Sequence, residues 1–238
     1  MPKAHVEAPV AGSIILAGLL LKLGGYGVIR LRGLFILKSI STSTLLVLII
    51  RLFGGVLTRI VCLRQTDFKS LVAYSSVGHM SFVLVGLLRN TLWGFMGAIL
   101  VIIGHGLCSS GLFALVNTFY LRRHSRLLTI NKGYLILSPC VRMLCFLLVV
   151  GNIASPPTLN LLGELFIYMV GASINIFFIP LLMLLRFLRA CYSLHIYVSS
   201  QHGKCINSLS SRGDFSMGDM LLLSFHWLPL NFLFLVIP

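Results

Sequence analysis

Four ionisable side chains interrupt otherwise apolar stretches of the sequence: Lys22, His79, His105 and Glu164. Hydrocarbon disfavours the charged forms of lysine and glutamate, and histidine exchanges its proton near neutral pH. Ionisable groups at such depth are costly unless they serve a pathway or pair with one another. A Lys–His–His–Glu series inside a membrane is what a proton relay requires, so we predict that these four residues carry protons.

Each of the four has a simpler interpretation. Lys22 could extend its ammonium group to the membrane surface, although it lies far from both ends of its apolar run, Val10–Ile29. A single intramembrane histidine is as often a hydrogen-bonded core residue as a proton carrier. Two histidines together with a lysine and a glutamate favour the relay. Metal binding is the weaker interpretation, because no cysteine or carboxylate lies at ligand spacing from His79 or His105.

Small residues surround all four candidates. Such residues let helices approach closely and leave room for water. They are Gly24 and Gly25 near Lys22, Ser75, Ser76 and Gly78 near His79, Gly104, Gly106, Ser109 and Ser110 near His105, and Gly163 beside Glu164.

The amino-acid composition indicates the class of protein in which these four side chains lie. Of 238 residues, 58% are hydrophobic and 10% are charged, which excludes a soluble domain and indicates a polytopic membrane protein. The net charge of +14 comes mostly from residues between apolar runs, where they orient helices and meet anionic lipid head groups, so nucleic-acid binding is excluded. The six cysteines show no metal-ligand spacing.

The apolar runs predict an all-α, polytopic membrane protein with about seven transmembrane helices. We predict one transmembrane domain over residues 1–238, with a polar loop at 199–216 before the last helix. The predicted spans are Val10–Ile29, Thr44–Cys62, Phe68–Leu88, Leu92–Leu121, Tyr134–Ile153 continued beyond a break, Ile174–Val198 and Met220–Ile237.

The break in the fifth span lies at residues 154–160, where Pro156 and Pro157 end the helix and free backbone carbonyls. At membrane depth such a break is tolerated only where protein or water satisfies the backbone, and broken helices mark ion pathways in transporters. An ordinary loop between two short helices is the alternative. Glu164 follows closely and is followed by more apolar sequence, which favours a discontinuous span.

The basic residues also predict an orientation. Ten fall on one side of the predicted spans and four on the other, which assigns the first side to the cytoplasm or mitochondrial matrix. The first set is Lys3, Arg59, Arg64, Lys69, Arg122, Arg123, Arg126, Lys132, Lys204 and Arg212, and the second is Arg30, Arg32, Lys38 and Arg89.

Four segments carry a resemblance to a known family: PKAHVEAPVAGSIILAGLLLKLGGYG, CLRQTDFKSLVAYSSVGHMSFVLVG, GHGLCSSGLFALVN and SPPTLNLLGEL. They resemble the chain 4 family of mitochondrial NADH:ubiquinone oxidoreductase, the antiporter-like membrane subunits of respiratory complex I. The resemblance covers Pro2 to about Tyr197. In that family the central lysine, the two histidines and the distal glutamate of the relay fall on Lys22, His79, His105 and Glu164.

The resemblance implies a multi-pass subunit of the mitochondrial inner membrane, with its basic loops on the matrix side. It implies proton translocation coupled to NADH oxidation and quinone reduction elsewhere in the complex, with no redox centre on this chain. It also implies that this chain binds no cofactor, since NADH, FMN, Fe–S clusters and ubiquinone belong to other subunits. The implied partners are other membrane-arm subunits and membrane lipids including cardiolipin.

Family members have about fourteen helices, and the motif at Pro2 normally lies midway along them. The chain therefore resembles the C-terminal half of an antiporter-like fold. The half that carries another glutamate and lysine is expected to come from a separate chain.

Two other functions remain open at this point. One is a related Na⁺/H⁺ antiporter subunit, and the other is a structural membrane-arm scaffold that does not pump. The roles of Arg51, Arg186 and Arg189, which also lie within apolar runs, are undecided by the sequence.

Overall fold

The computed structural model describes residues 2–35, 42–89, 91–134, 139–203 and 215–236, and the long regular elements among them are all helices. A π-helical turn, Leu16–Leu20, joins the second helix to the third without a break in the chain direction. The helices are α1 (Pro2–Glu7), α2 (Val10–Ile15), α3 (Leu21–Phe35), α4 (Thr42–Leu63), α5 (Phe68–Leu88), α6 (Leu92–Arg123), α7 (Pro139–Ile153), α8 (Leu159–Ile174), α9 (Phe178–Gln201) and α10 (Met217–Val236).

Six helical segments in the described part of the chain are long and apolar enough to cross a membrane. They are Val10–Leu31, Thr44–Leu63, Phe68–Leu88, Leu92–Arg123, Phe178–Gln201 and Met217–Val236. The shorter apolar helices α7 and α8, with the break between them, make one further discontinuous crossing. The predicted fold class, an all-α polytopic membrane protein of about seven spans, is confirmed.

Most predicted spans agree with the helices to within a few residues, and two boundaries are wrong. Ile174 ends α8 instead of opening the next span, since a turn at Asn175 separates it from Phe178. Ser199 to Gln201 continue α9 and do not belong to the predicted 199–216 loop. Most of that loop lies outside the described residues, and so do Lys38, Lys204, Arg212 and residues 135–138 of the fifth predicted span.

Helices α5 and α6 form the centre of the bundle, and both are buried on nearly all faces. Helix α8 packs against both of them, α9 packs against α4 and α7, and α10 packs against α6 and α7. The segment from α2 through the π turn packs one face on α6. Its other face, with Leu19, Leu23 and Tyr26, is more than half exposed.

Small residues permit a close helix contact between α6 and α8. A Cβ on Gly163 would lie 2.9 Å from the carbonyl oxygen of Gly97, closer than side-chain carbons approach backbone oxygens. The two backbones therefore touch one residue away from Glu164. Glycine at this position sets the depth at which α8 inserts its carboxylate into the bundle.

Several of the residues predicted for the basic side meet at one end of the bundle. Lys69 Nζ donates to the carbonyl of Ala8 at 2.5 Å, and Arg126 donates to the carbonyl of Val6 at 3.0 Å. Arg122 lies 3.8 Å from Asp219, which places the start of α10 at the same end. These contacts agree with the predicted grouping of basic residues.

Arg59 is an exception to that grouping. Its side chain is fully buried within α4, where it donates to the carbonyl of Leu185 and, at 3.2 Å, to that of Gly78. Its guanidinium carbon lies 5.1 Å from the ring centroid of Phe82. The prediction counted Arg59 with the residues of the basic side, but the side chain turns into the bundle and donates to carbonyl acceptors there.

Candidate proton-relay site

Lys22 lies at the start of α3, directly after the π turn. Its Nζ donates to the carbonyl of Ala17 within that turn and lies 3.1 Å from Nδ1 of His105 on α6. A π turn interrupts the regular i to i−4 hydrogen bonding of a helix and often occurs at functional sites. A Cβ on Gly106 would lie 3.4 Å from Cε of Lys22, so the absence of a side chain there leaves room for the lysine. Lys22 therefore faces protein, as the sequence predicts.

The contact with Lys22 fixes the tautomer of His105. While Lys22 is protonated it can only donate, so Nδ1 of His105 is then the acceptor. While neutral, His105 carries its proton on Nε2, and that buried atom has no hydrogen-bonding partner among the described residues. A proton that arrives at Nδ1 from Lys22 can thus leave His105 from Nε2.

His79 on α5 is in direct contact with His105. The two rings lie 4.5 Å apart between centroids, at 31° to each other, and both residues are 1% exposed. Nε2 of His79 lies 3.2 Å from the hydroxyl of Tyr192, and Nδ1 lies 3.5 Å from Nη1 of Arg189. Because arginine only donates, Nδ1 of His79 is the side of the ring that can accept from Arg189.

Arg189 joins this pair of histidines to Glu164. Its guanidinium donates to both carboxylate oxygens of Glu164, with Nη2 at 2.5 Å from Oε2 and Nη1 bonded to Oε1. Nη2 also donates to the carbonyl of Ile153 at 2.9 Å. Glu164 and Arg189 are both buried, so the pair is a two-bond salt bridge inside the bundle.

The interruption between α7 and α8 supplies these backbone contacts. The chain ends α7 at Ile153, whose carbonyl is then free to accept from Arg189. Asn160, in the first turn of α8, donates from Nδ2 to the carbonyl of Gly151 at 3.0 Å. The broken span is thus satisfied by protein side chains, as the sequence predicts for a break at membrane depth.

Gly104 allows α6 to pack closely against the start of α8. A Cβ on Gly104 would lie 2.5 Å from Oδ1 of Asn160, so α6 and the start of α8 meet there through a residue without a side chain. Oδ1 of Asn160 is itself buried without a partner among the described residues. It adds a second unpaired polar atom near His105.

The structure therefore brings all four predicted residues into one series of contacts, Lys22–His105–His79–Arg189–Glu164. Sequence reasoning missed the part played by Arg189 and Tyr192. Arg189 was visible as a basic residue in an apolar run, and pairing it with Glu164 was the available signal. Arg51 is exposed and Arg186 is partly exposed, whereas Arg189 is buried.

No group of three His, Cys, Asp or Glu side chains that could hold a metal ion occurs among the described residues. Lysine, histidine and glutamate each bind and release a proton, and adjacent members lie within hydrogen-bonding or ring-contact distance.

Comparison with known proteins agrees with this geometry. A sequence profile described as "NADH:quinone oxidoreductase/Mrp antiporter, TM" matches residues 1–188. Proteins named NADH-ubiquinone oxidoreductase chain 4 are similar over nearly the whole of this chain. The protein of Mytilus edulis is 50% identical over 100% of this chain and 55% of its own length. The protein of Ceratitis capitata is 48% identical over 99% of this chain and 52% of its own length. The chain spans about half the length of the curated relatives it matches.

Solved structures share the fold. A chain of the archaeal membrane-bound sulfane sulfur reductase superposes with a TM-score of 0.90 at 21% identity, over 100% of this chain and 41% of that one. A chain of respiratory complex I from Thermus thermophilus superposes with a TM-score of 0.69 at 20% identity, over 91% of this chain and 44% of that one. A chain of the Mrp complex from Dietzia superposes with a TM-score of 0.79 at 16% identity, over 86% of this chain and 38% of that one. These likenesses show the fold. The profile match, which covers more than half of this chain, shows that the chain belongs to the NADH:quinone oxidoreductase/Mrp antiporter transmembrane family.

Proposed function

We propose that this chain is a proton-translocating membrane-arm subunit of NADH:ubiquinone oxidoreductase. The observation that carries the proposal is the continuous series of contacts from Lys22 to Glu164 through the middle of the bundle. Membership of the family and the names of the similar proteins support it. NADH oxidation and quinone reduction take place elsewhere in the complex, and the chain itself binds no NADH, FMN, Fe–S cluster or ubiquinone.

The proposed relay uses each residue for one step. Lys22 passes a proton to Nδ1 of His105, and His105 releases its other proton from Nε2 towards His79. His79 delivers a proton on the side of Arg189 and Glu164. Buried groups with adjacent proton-accepting atoms suit this transfer because hydrocarbon blocks any other path for charge.

The proposal places the chain in the mitochondrial inner membrane, with the end formed by Lys69, Arg122 and Arg126 on the matrix side. The joint location of these basic residues at one end of the bundle supports this orientation. Anionic lipids such as cardiolipin are the expected neighbours of that end. Other membrane-arm subunits are the expected protein partners.

We further propose that the exposed apolar face next to Lys22 is covered by the N-terminal half of the antiporter-like fold. Leu19 is 66% exposed and Leu23 is 60% exposed, although both flank a residue of the relay. The similar proteins are about twice as long as this chain, which is consistent with such a second half.

Crosslinking tests this arrangement. In the assembled complex, a cysteine at Leu19→Cys is expected to crosslink to helices of an antiporter-like N-terminal half, and mass spectrometry of the product identifies the polypeptide. Leu184→Cys, on an exposed face of α9 away from Lys22, is the control and should not give that product. Crosslinks to the N-terminal half from Leu184→Cys alone would contradict the proposed face.

Sodium dependence separates the proposal from the antiporter alternative. In sealed vesicles that contain the assembled complex, NADH-driven proton transport is expected to be unchanged when all sodium is replaced by choline. The reason is that Glu164 is the one carboxylate of the series, and both of its oxygens are bonded to Arg189. Loss of transport in sodium-free medium, restored by added sodium, would favour the antiporter instead.

A further inference from the structure

Arg189 stands where the relay passes from a histidine to a carboxylate. It is 0% exposed, and its guanidinium contacts His79 on one side and both oxygens of Glu164 on the other. No other residue of the described structure lies between His79 and Glu164 with hydrogen bonds to both. A proton that passes from His79 to Glu164 must therefore pass the guanidinium cation of Arg189.

We propose that Arg189 is a positioning residue that makes proton transfer onto Glu164 conditional on the release of its own salt bridge. This inference depends on the proposed function. Arg189 donates to both oxygens of Glu164, so protonation of either oxygen by His79 weakens one of the two charge-assisted hydrogen bonds of this pair. The closed pair is thus the resting state of the relay.

A proton on Nδ1 of His79 changes this balance. It places a second cation 3.5 Å from Nη1 of Arg189, in a buried site where like charges repel strongly. The guanidinium then moves away from Oε1, that oxygen takes the proton, His79 returns to neutral, and Glu164 becomes a neutral acid. The number of protons is conserved, and Arg189 keeps its charge throughout.

The break between α7 and α8 provides a hydrogen-bond acceptor for Arg189 other than Glu164. The carbonyl of Ile153 already accepts from Nη2 at 2.9 Å, and it can hold the guanidinium after Glu164 is protonated. An arginine without such an acceptor would be left buried and unpaired, at a cost of several kcal/mol. The discontinuous span therefore supports both positions of one side chain.

Charged and titratable groups face this pair from the surrounding helices. They are His79 on α5, His105 and Cys108 on α6, Arg59 on α4, Tyr168 on α8, Tyr192 on α9 and Lys22 on α3. Glu164 is the carboxylate of this set. Removal of Arg189 leaves no other side chain hydrogen-bonded to that carboxylate among the described residues, so its charged form loses both of these bonds.

The test compares Arg189→Gln and Arg189→Lys with Arg186→Gln, a control that removes the same charge one turn earlier on α9. Each variant is measured in the assembled complex in sealed vesicles, by NADH-driven proton transport across a range of pH and by infrared spectroscopy of protonated carboxyl groups. For Arg189→Gln we expect a carboxylic-acid band at neutral pH that disappears when Glu164→Gln is added. We also expect the pH profile of transport to move towards alkaline pH by about one unit or more. Arg186→Gln should match the unmodified complex in both measurements.

Arg189→Lys keeps the inference testable even if Arg189→Gln fails to assemble. Lysine preserves the charge but cannot bond both oxygens at once, so transport should persist with a displaced pH profile. A profile identical to that of the unmodified complex, in either assembled variant, would overturn the inference. Lys22→Met in the same preparation separates the two proposals: transport that survives Lys22→Met contradicts the relay itself, whereas transport lost in Lys22→Met but unchanged in both Arg189 variants contradicts this inference alone.

Discussion

Lys22→Met is expected to abolish NADH-driven proton transport by the assembled complex without preventing its assembly. Methionine has a similar length and lies comfortably in an apolar helix, so packing against Gly106 and His105 is retained. The proton donor to Nδ1 of His105 is lost, and a positioned acid or base typically contributes about 100-fold or more to a proton transfer. The measurement is the initial rate of proton uptake into sealed vesicles, divided by the amount of assembled complex.

Lys3→Met is the matched control for this variant. Lys3 is exposed in α1 and takes no part in the series, so the same chemical change should leave transport unaltered. Transport at the normal rate in assembled Lys22→Met complexes would show that the lysine is not part of the path. Loss of assembly with normal transport per remaining complex would favour the scaffold alternative.

Glu164→Gln is expected to reduce the amount of assembled complex severely, and the double variant Glu164→Gln with Arg189→Gln is expected to restore it. The single change leaves Arg189 as a buried cation without a counter-charge, which typically costs about 3–5 kcal/mol, and the second change removes that cation. Complex assembly is measured by native gel electrophoresis, and unfolding by the temperature at which the purified complex loses its folded structure.

Transport should respond differently from assembly in this pair of variants. A restored complex still lacks the carboxylate that accepts the proton, so it should assemble and fail to transport. A double variant that recovers both assembly and transport would mean that the two residues act only as a structural salt bridge. Full assembly of the Glu164→Gln complex would contradict the buried pairing of Glu164 with Arg189.

Much of the fold follows from the sequence because long apolar runs have few alternatives in a membrane. The span Phe68–Leu88 agrees with α5 at both ends, and the two prolines at 156–157 locate the broken crossing. The boundary at Ile174 was misplaced because the residues from Gly171 to Phe178 remain mostly apolar through the turn. The π turn at Leu16–Leu20 has the composition of an ordinary helix, so periodicity does not distinguish it.

The candidate site was predictable in its members but not in its connections. Glu164 was identified as an acid in an apolar run, whereas its partner comes from α9, and which face of α9 meets α8 depends on tertiary packing. Arg59 was misassigned because hydropathy treats a basic residue near the end of a span as a surface residue. Its burial depends on Gly78, where a Cβ would lie 2.7 Å from Nε of the guanidinium.

An experimental map of the assembled complex that resolves ordered water tests the relay most directly. Two of the buried polar atoms that have no partner among the described residues, His105 Nε2 and Asn160 Oδ1, are the places where a polar path should recruit water. We expect water bonded to both atoms, linked to the side chains of Lys22, His79 and Glu164 at the middle of the bilayer. A map in which these side chains point separately to lipid or to head-group level, with dry apolar packing between them, would contradict the proposed path of protons.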